Sequence, residues 1–177
     1  WGEGDFPFLF VQSANFKTGA DDRWPELRDA QRQALNLSKT GMAVAIDIGD
    51  PGNIHPKDKQ DVGARLALAA RAAAYGENIE YSGPIFRQAV PEGNSIRVWF
   101  THAGGLKAKG AELRGFENAG TDRKYYPAQA RIEGSTIVAS SSSAPAPVFV
   151  RYAWADNPET SLYNGADLPA SPFQSGE

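Results

Sequence analysis

The stretch from Ala43 to Tyr75, AVAIDIGDPGNIHPKDKQDVGARLALAARAAAY, reads as a strand, a loop and a helix, and the rest of the chain is organised around it. The apolar run Met42 to Ile48 is short, carries the β-branched residues Val44, Ile46 and Ile48, and stops at Gly49. That is the pattern of a strand buried on both faces of a parallel sheet. A polar loop follows, and this region carries Asp47, Asp50, Asn53 and His55. Pro56 suits the first turn of a helix, where its missing N–H has no intrahelical partner, and Val62, Leu66, Ala69, Ala70 and Ala73 then recur at helical spacing. His55 is therefore expected at the mouth of a helix, just past the carboxyl end of a strand, where open α/β sheets gather their ligands. A histidine so placed and oriented by a carboxylate can take the proton of a serine hydroxyl and later deliver it to a leaving alcohol. Spacing by itself does not separate this from a histidine that only bonds a nearby backbone group.

Upstream, Phe6 to Gln12 (FPFLFVQ) is a second aromatic and β-branched run, ending in the polar group Gln12, Ser13, Asn15. Its carboxyl end would face the same crevice, which makes Gln12 and Asn15 candidate pocket residues beside Asn53, with turn capping as their other reading. Thr18 to Asp22 reads as a loop. Pro25 opens a helix whose apolar face is expected to be Leu27, Ala30, Ala34 and Leu37, with Glu26, Arg28, Asp29 and Arg32 turned to solvent; Asn36 to Gly41 breaks it. The order strand, helix, strand, helix predicts parallel strands with helices on the sheet faces. Two strands are too few for a doubly wound sheet.

Beyond Gly76 the pattern changes. Asn78 to Gln88, Ser95 to Thr101, Ala111 to Phe116, Ala128 to Ile132, Thr136 to Ser140 and Val148 to Trp154 are short, partly alternating runs separated by Gly, Pro, Asn and Ser, as in antiparallel β structure. Gly104 and Gly105 mark a turn, and Gly134 suits a hairpin. Trp99, Phe100, Tyr125, Tyr126, Tyr152 and Trp154 read as core aromatics before they read as a sugar-stacking surface. His102 has no metal-ligand spacing around it.

The chain's 177 residues suffice to bury a core without staples, and the absence of cysteine excludes disulfides. A formal charge of −3 with mixed signs argues against a nucleic-acid partner, and no apolar stretch reaches membrane-spanning length. Trp1 carries no leader pattern behind it, and the lack of an initiator methionine suits a fragment or a processed product.

The run DIGDPGNIHPKDKQDVGARLALAAR resembles the catalytic-histidine block of the sialate O-acetylesterase family, within the wider SGNH hydrolases. WGEGDFPFLFVQSANF and RWPELRDAQ before it, and GGLKAKGAELRGFENAG, RYAWADNP and LYNGADLPASPF after it, resemble the same family, so nearly the whole chain is covered. The resemblance implies an α/β fold: residues 1–77 as the C-terminal half of an SGNH-type, flavodoxin-like three-layer α/β/α domain, and residues 78–177 as an antiparallel β-sandwich-like domain. It implies a carbohydrate O-acetylesterase acting on acetylated sialic acid or on acetylated plant polysaccharide such as xyloglucan or xylan, with no metal and no cofactor, in a periplasmic or secreted setting. His55 is then the general base and acid. The family's nucleophilic serine lies in an early block that is not legible here: Ser13, Ser38 and Ser82 lack its glycine-flanked context, and Ser140 to Ser143 is low-complexity. The serine is therefore expected on a second polypeptide or on the N-terminal half of the same precursor. One departure matters. The orienting aspartate of the wider superfamily stands three residues before the histidine, where this chain has Gly52; Asp50 is the nearest acid, Asp47 the next, and a serine–histidine dyad without an acid is the remaining possibility. A non-catalytic carbohydrate-binding β-sandwich is the alternative function. It predicts no role for the Asp50 to His55 loop.

Overall fold

The structure is a computed structural model that describes residues 2, 4–17, 19 and 23–176. The loop expected over Thr18 to Asp22 lies, apart from Gly19, outside them. Strand β1 (Phe8–Val11) pairs in parallel with β2 (Thr40–Ala43), Phe8 opposite Thr40 and Val11 opposite Ala43. Helix α1 (Trp24–Gln33), prolonged by a 3-10 turn over Ala34–Asn36, connects them, and α2 (Lys59–Ala73) follows β2. Gly41 lets β2 approach α2, because a Cβ there would meet Leu9 and Ala69. The opposite face, Met42, Val44 and Ile46, packs on Phe10, Leu35 and Ile85.

Both strands are shorter than their apolar runs. Pairing of β1 starts at Phe8, whose N–H reaches the Lys39 carbonyl, since Pro7 has no N–H and Phe6 is exposed. In β2 the ladder stops at Ala43, although Val44, Ala45 and Ile46 stay buried. The Val44 carbonyl goes to Arg65 rather than to a strand, and the Ile48 N–H turns back to Ala45. Helix α2 also starts later than Pro56 suggested: Asp58 is its N-cap, accepting the Asp61 N–H at 3.0 Å.

The orientation of α1 inverts the expectation. Leu27 and Leu37 are exposed, while Arg28 and Asp29 are buried. Arg28 donates to the carbonyls of Ser13, Ala14, Ala155 and Asp156 at 2.7–2.8 Å, so one guanidinium satisfies four loop carbonyls. Burial lowers its pKa to about 10, against the pull of nearby Asp156. Asp29 in turn accepts from Arg32 and Gln33.

Residues beyond α2 form two four-stranded antiparallel sheets. One has the order β3 (Ile85–Glu92), β4 (Ser95–Thr101), β9 (Thr136–Ser140), β8 (Gln129–Glu133); the other has β12 (Phe173–Gln174), β10 (Phe149–Tyr152), β6 (Phe116–Ala119), β7 (Tyr125–Pro127). Alternation along β4 sends Ile96, Val98 and Phe100 inward, where they join Ile137, Val150, Tyr152 and Phe173 in one core. Phe100 and Tyr152 are thus core, whereas Tyr126 is exposed. Gly134, at φ 61°, turns the β8–β9 hairpin. Short β5 (Lys107–Ala108) pairs with β11 (Leu162–Tyr163) outside these sheets. Two expected strands differ. Asn78 to Pro84 is a connection rather than the start of β3, with Gly83 pressed against the Pro169 backbone, and Ala111 to Gly115 is loop, with Leu113 making only a lone bridge to Ala130. Among the described residues no helix is long and apolar enough to cross a membrane.

The C-terminal segment returns to the α/β half. Ser171 Oγ accepts from Gln12, Asn157 accepts from Asn15, and Tyr163 donates to Asp47. The two parts are therefore bolted together at the end of the parallel strands.

Candidate active site

Residues 44–58 leave β2 and cross the carboxyl ends of both parallel strands, and their backbone is held from three directions. Asp47 comes first: its carboxylate takes a two-pronged bond from Arg65 at 2.6 and 2.9 Å and a third from the Tyr163 hydroxyl at 3.0 Å. Burial works against the Arg65 charge, but the Asp47 bonds and charge outweigh it and raise the Arg65 pKa overall. The Tyr163 hydroxyl is pushed up as well, by burial first and by the Asp47 charge second.

Asn15 holds the next point. Its Oδ1 accepts the Gly49 N–H at 2.7 Å and its Nδ2 donates to Asn157 Oδ1 at 2.8 Å. The approach is so close that a Cβ on Gly49 would collide with the carbonyl and side chain of Asn15. The Lys17 N–H then bonds the Pro51 carbonyl at 3.0 Å.

The tip is a set of local turns. Asp50 Oδ1 accepts the Gly52 N–H at 2.9 Å, and Lys57 Nζ lies 3.0 Å from Asp50 Oδ2. The Gly52 bond, then Lys57, hold the Asp50 carboxyl below its usual range. Asn53 Oδ1 accepts the His55 N–H at 2.9 Å, so Asn53 shapes the loop through its side chain. Gly52 does not lie in the left-handed region, and a Cβ there would meet only Asp50 Oδ1, at an ordinary 3.5 Å.

His55 is exposed, and among the described residues no hydrogen bond or ion pair engages its imidazole. The structure thus brings Asp50 to Lys57, not to the imidazole, and Asp47 is committed to Arg65. Gln12 is fully enclosed, donating to the Arg28 carbonyl at 2.9 Å and to Ser171 Oγ at 2.8 Å, which removes it from the pocket and makes it a brace. Asn15 is half-buried and serves the loop as described. No serine among the described residues hydrogen-bonds His55; Ser82, for example, is buried with its hydroxyl on the Gly83 carbonyl. Among the described residues no three His, Asp or Glu side chains gather as a metal site would need.

Arg65, Lys57, Tyr163 and Asn157 were not anticipated. Arg65 had a signal, an arginine on the inward stripe of α2 with Val62 and Ala69 that needs an acid, but nothing local pointed to Tyr163 or Asn157.

No protein-family model matches the chain. In sequence and fold it is similar to part of a carbohydrate acetylesterase from Xanthomonas citri, at 45% identity and a TM-score of 0.92 over 96% of this chain and 41% of that one. More particularly, it is homologous to the sialate O-acetylesterases: it is 33% identical to that of Mus musculus and 32% to that of Homo sapiens, each over 95% of its length. The chain spans 35% and 36% of those two relatives, about a third of each.

Proposed function

We propose that this chain is part of a serine carboxylesterase that removes O-acetyl groups from carbohydrates, with His55 as general base and then general acid. One observation carries the reading: a histidine with a free imidazole stands on a loop otherwise tied down at Asp47, Gly49, Pro51 and Asp50, beyond the carboxyl ends of two parallel strands. The similarity to carbohydrate acetylesterases supports it. In this reading residues 1–77 are the C-terminal half of a three-layer SGNH domain and residues 78–177 a β-sandwich domain. The nucleophilic serine comes from a separate N-terminal segment.

The chemistry then runs in two halves. An imidazole nitrogen of His55 takes the serine proton as the serine oxygen attacks the acetyl carbon, and the same proton passes to the sugar oxygen as the C–O bond breaks. Water repeats the sequence on the acetyl-enzyme and releases acetate. Asp50 is a positioning residue, holding the loop and so the imidazole; without an acid on the ring itself, the site works as a serine–histidine dyad. The substrate is an acetylated sialic acid or plant polysaccharide, and the setting is periplasmic or secreted. In the full-length protein, His55→Ala should lower kcat for acetate release on the order of ten-thousandfold with the circular dichroism spectrum unchanged. Near-normal release would remove His55 from the mechanism.

A further inference from the structure

At the opposite end of the parallel strands, the 3-10 turn after α1, the start of β2 and the first residues of β3 enclose a cleft of about 610 Å³ that the esterase reading does not use. Its floor is apolar, formed by Leu35, Met42 and Ile85. Its walls carry donors: Arg32, Arg87, Asn36, Tyr81 and His102.

Most of these donors are unspent. Arg87 is exposed and has no hydrogen bond or ion pair among the described residues. Arg32 uses only Nε, on Asp29 Oδ1 at 2.8 Å, and its guanidinium lies 5.7 Å from the Phe86 ring centre, leaving the terminal nitrogens uncommitted. The carboxylates behind the walls are already taken: Asp29 by Arg32 and Gln33, and Glu80 by His102 Nδ1 at 2.6 Å and the Tyr81 N–H. His102 holds φ 56°, a backbone conformation costly for a residue with a Cβ, and its ring meets the Tyr81 ring edge-on at 4.7 Å. That arrangement leaves Nε2 of His102 free of any described partner.

We propose that this cleft is a second, non-catalytic binding site for a carboxylate-bearing saccharide. Two guanidinium groups match the planar carboxylate, whereas the amide, phenol and imidazole suit ring hydroxyls. The apolar floor suits the C–H face of a sugar ring, and a bare phosphate would leave it unused. The site rests on groups independent of His55.

The test uses the full-length protein and unacetylated probes, so that no turnover interferes. Titration with methyl glucuronide, followed by saturation-transfer NMR and calorimetry, should show binding at least about tenfold tighter than for methyl glucoside, since a charge-assisted pair is lost in the neutral sugar. Arg87→Met, an exposed position, should weaken glucuronide binding by about the same factor, whereas His55→Ala should leave it unchanged. Equal affinity for the two sugars, no effect of Arg87→Met, or no binding at all would overturn the proposal. So would inorganic phosphate displacing the sugar at equal concentration, or loss of binding in His55→Ala, which would move the sugar to the esterase site.

Discussion

In the proposed mechanism Asp50 and Lys57 steady the loop that carries His55, a role that can be told apart from an acid acting directly on the ring. The Asp50 carboxyl is lowered from its ordinary value by the Gly52 N–H and then by Lys57. A lowered carboxyl contributes its tightening above the ordinary carboxylate range and loses it as pH falls through the lowered value. In the full-length enzyme, Asp50→Ala should reduce kcat roughly tenfold to a thousandfold with little change in KM, and Lys57→Met should reproduce part of that loss. An unaltered kcat and an unaltered pH profile in Asp50→Ala would leave the dyad with no help from this acid. The two loop glycines give a sharper contrast. Gly49→Ala should cost about 1–3 kcal/mol in urea unfolding, because a Cβ there strikes Asn15, while Gly52→Ala should be near neutral in stability and activity. Equal costs would show that the Asn15 contact does not matter. The sequence around Gly49 and Gly52 does not distinguish the two. The true constraint is a contact with a residue 34 positions away, which local spacing cannot reveal.

At the level of elements, the end of β2 is fixed to α2 and β11 by one buried ion pair with a hydroxyl attached. The Arg65 and Asp47 side chains are only 10% and 6% exposed, so removing one partner strands a charge in the interior. Arg65→Met should destabilise by about 3–5 kcal/mol, and Tyr163→Phe, which leaves the pair intact, by about 1 kcal/mol. Similar small losses for both would mean that water replaces the arginine. Tyr152 on β10 is expected to tie stability to alkaline pH. Its hydroxyl accepts the Ser161 and Leu162 N–H groups, and burial, partly offset by these bonds, pushes its pKa up to about 12. A raised phenol contributes stability in full below its unfolded value near 10 and loses it as pH rises through the folded one. Unfolding free energy should therefore fall by about 2–3 kcal/mol between those values, and Tyr152→Phe should start lower and flatten the fall. An unchanged slope in the variant would assign the loss elsewhere. Both helices and strands β1 to β4 and β8 to β10 were legible from periodicity, β4 and β9 to the residue, whereas β5, β7, β11 and β12 fell in no expected run. The facing of α1 was not, because Arg28 is drawn inward by carbonyls at positions 13, 14, 155 and 156, two of them on a distant loop.

For the molecule as a whole, the described surface carries apolar groups that want cover on the side of the parallel strands. Phe6 and Phe8 are 56% and 57% exposed, and Leu37 is 68% exposed close by, two residues before the Lys39 carbonyl that receives the Phe8 N–H. Leu27 on α1 is exposed too, on the stripe that helical spacing marks as apolar. Among the described residues β1 and β2 pair only with each other, so each leaves one edge of unpaired backbone groups. A sheet of this kind is completed by further strands, and the relatives, about three times as long as this chain, have the residues to supply them. We expect the chain expressed alone to self-associate, and co-expression with the preceding segment to give a soluble species in which Phe6 and Phe8 are protected from hydrogen exchange. In that assembly a serine hydroxyl from outside this chain should lie within about 3.2 Å of an imidazole nitrogen of His55, or somewhat farther with the site empty. The added strands and the serine belong to one expectation, because open α/β sheets gather their reacting groups at the carboxyl ends of their parallel strands, the end at which the His55 loop lies. A chain that proves monomeric, soluble and active by itself, or an assembled structure in which no outside serine approaches His55, would defeat it.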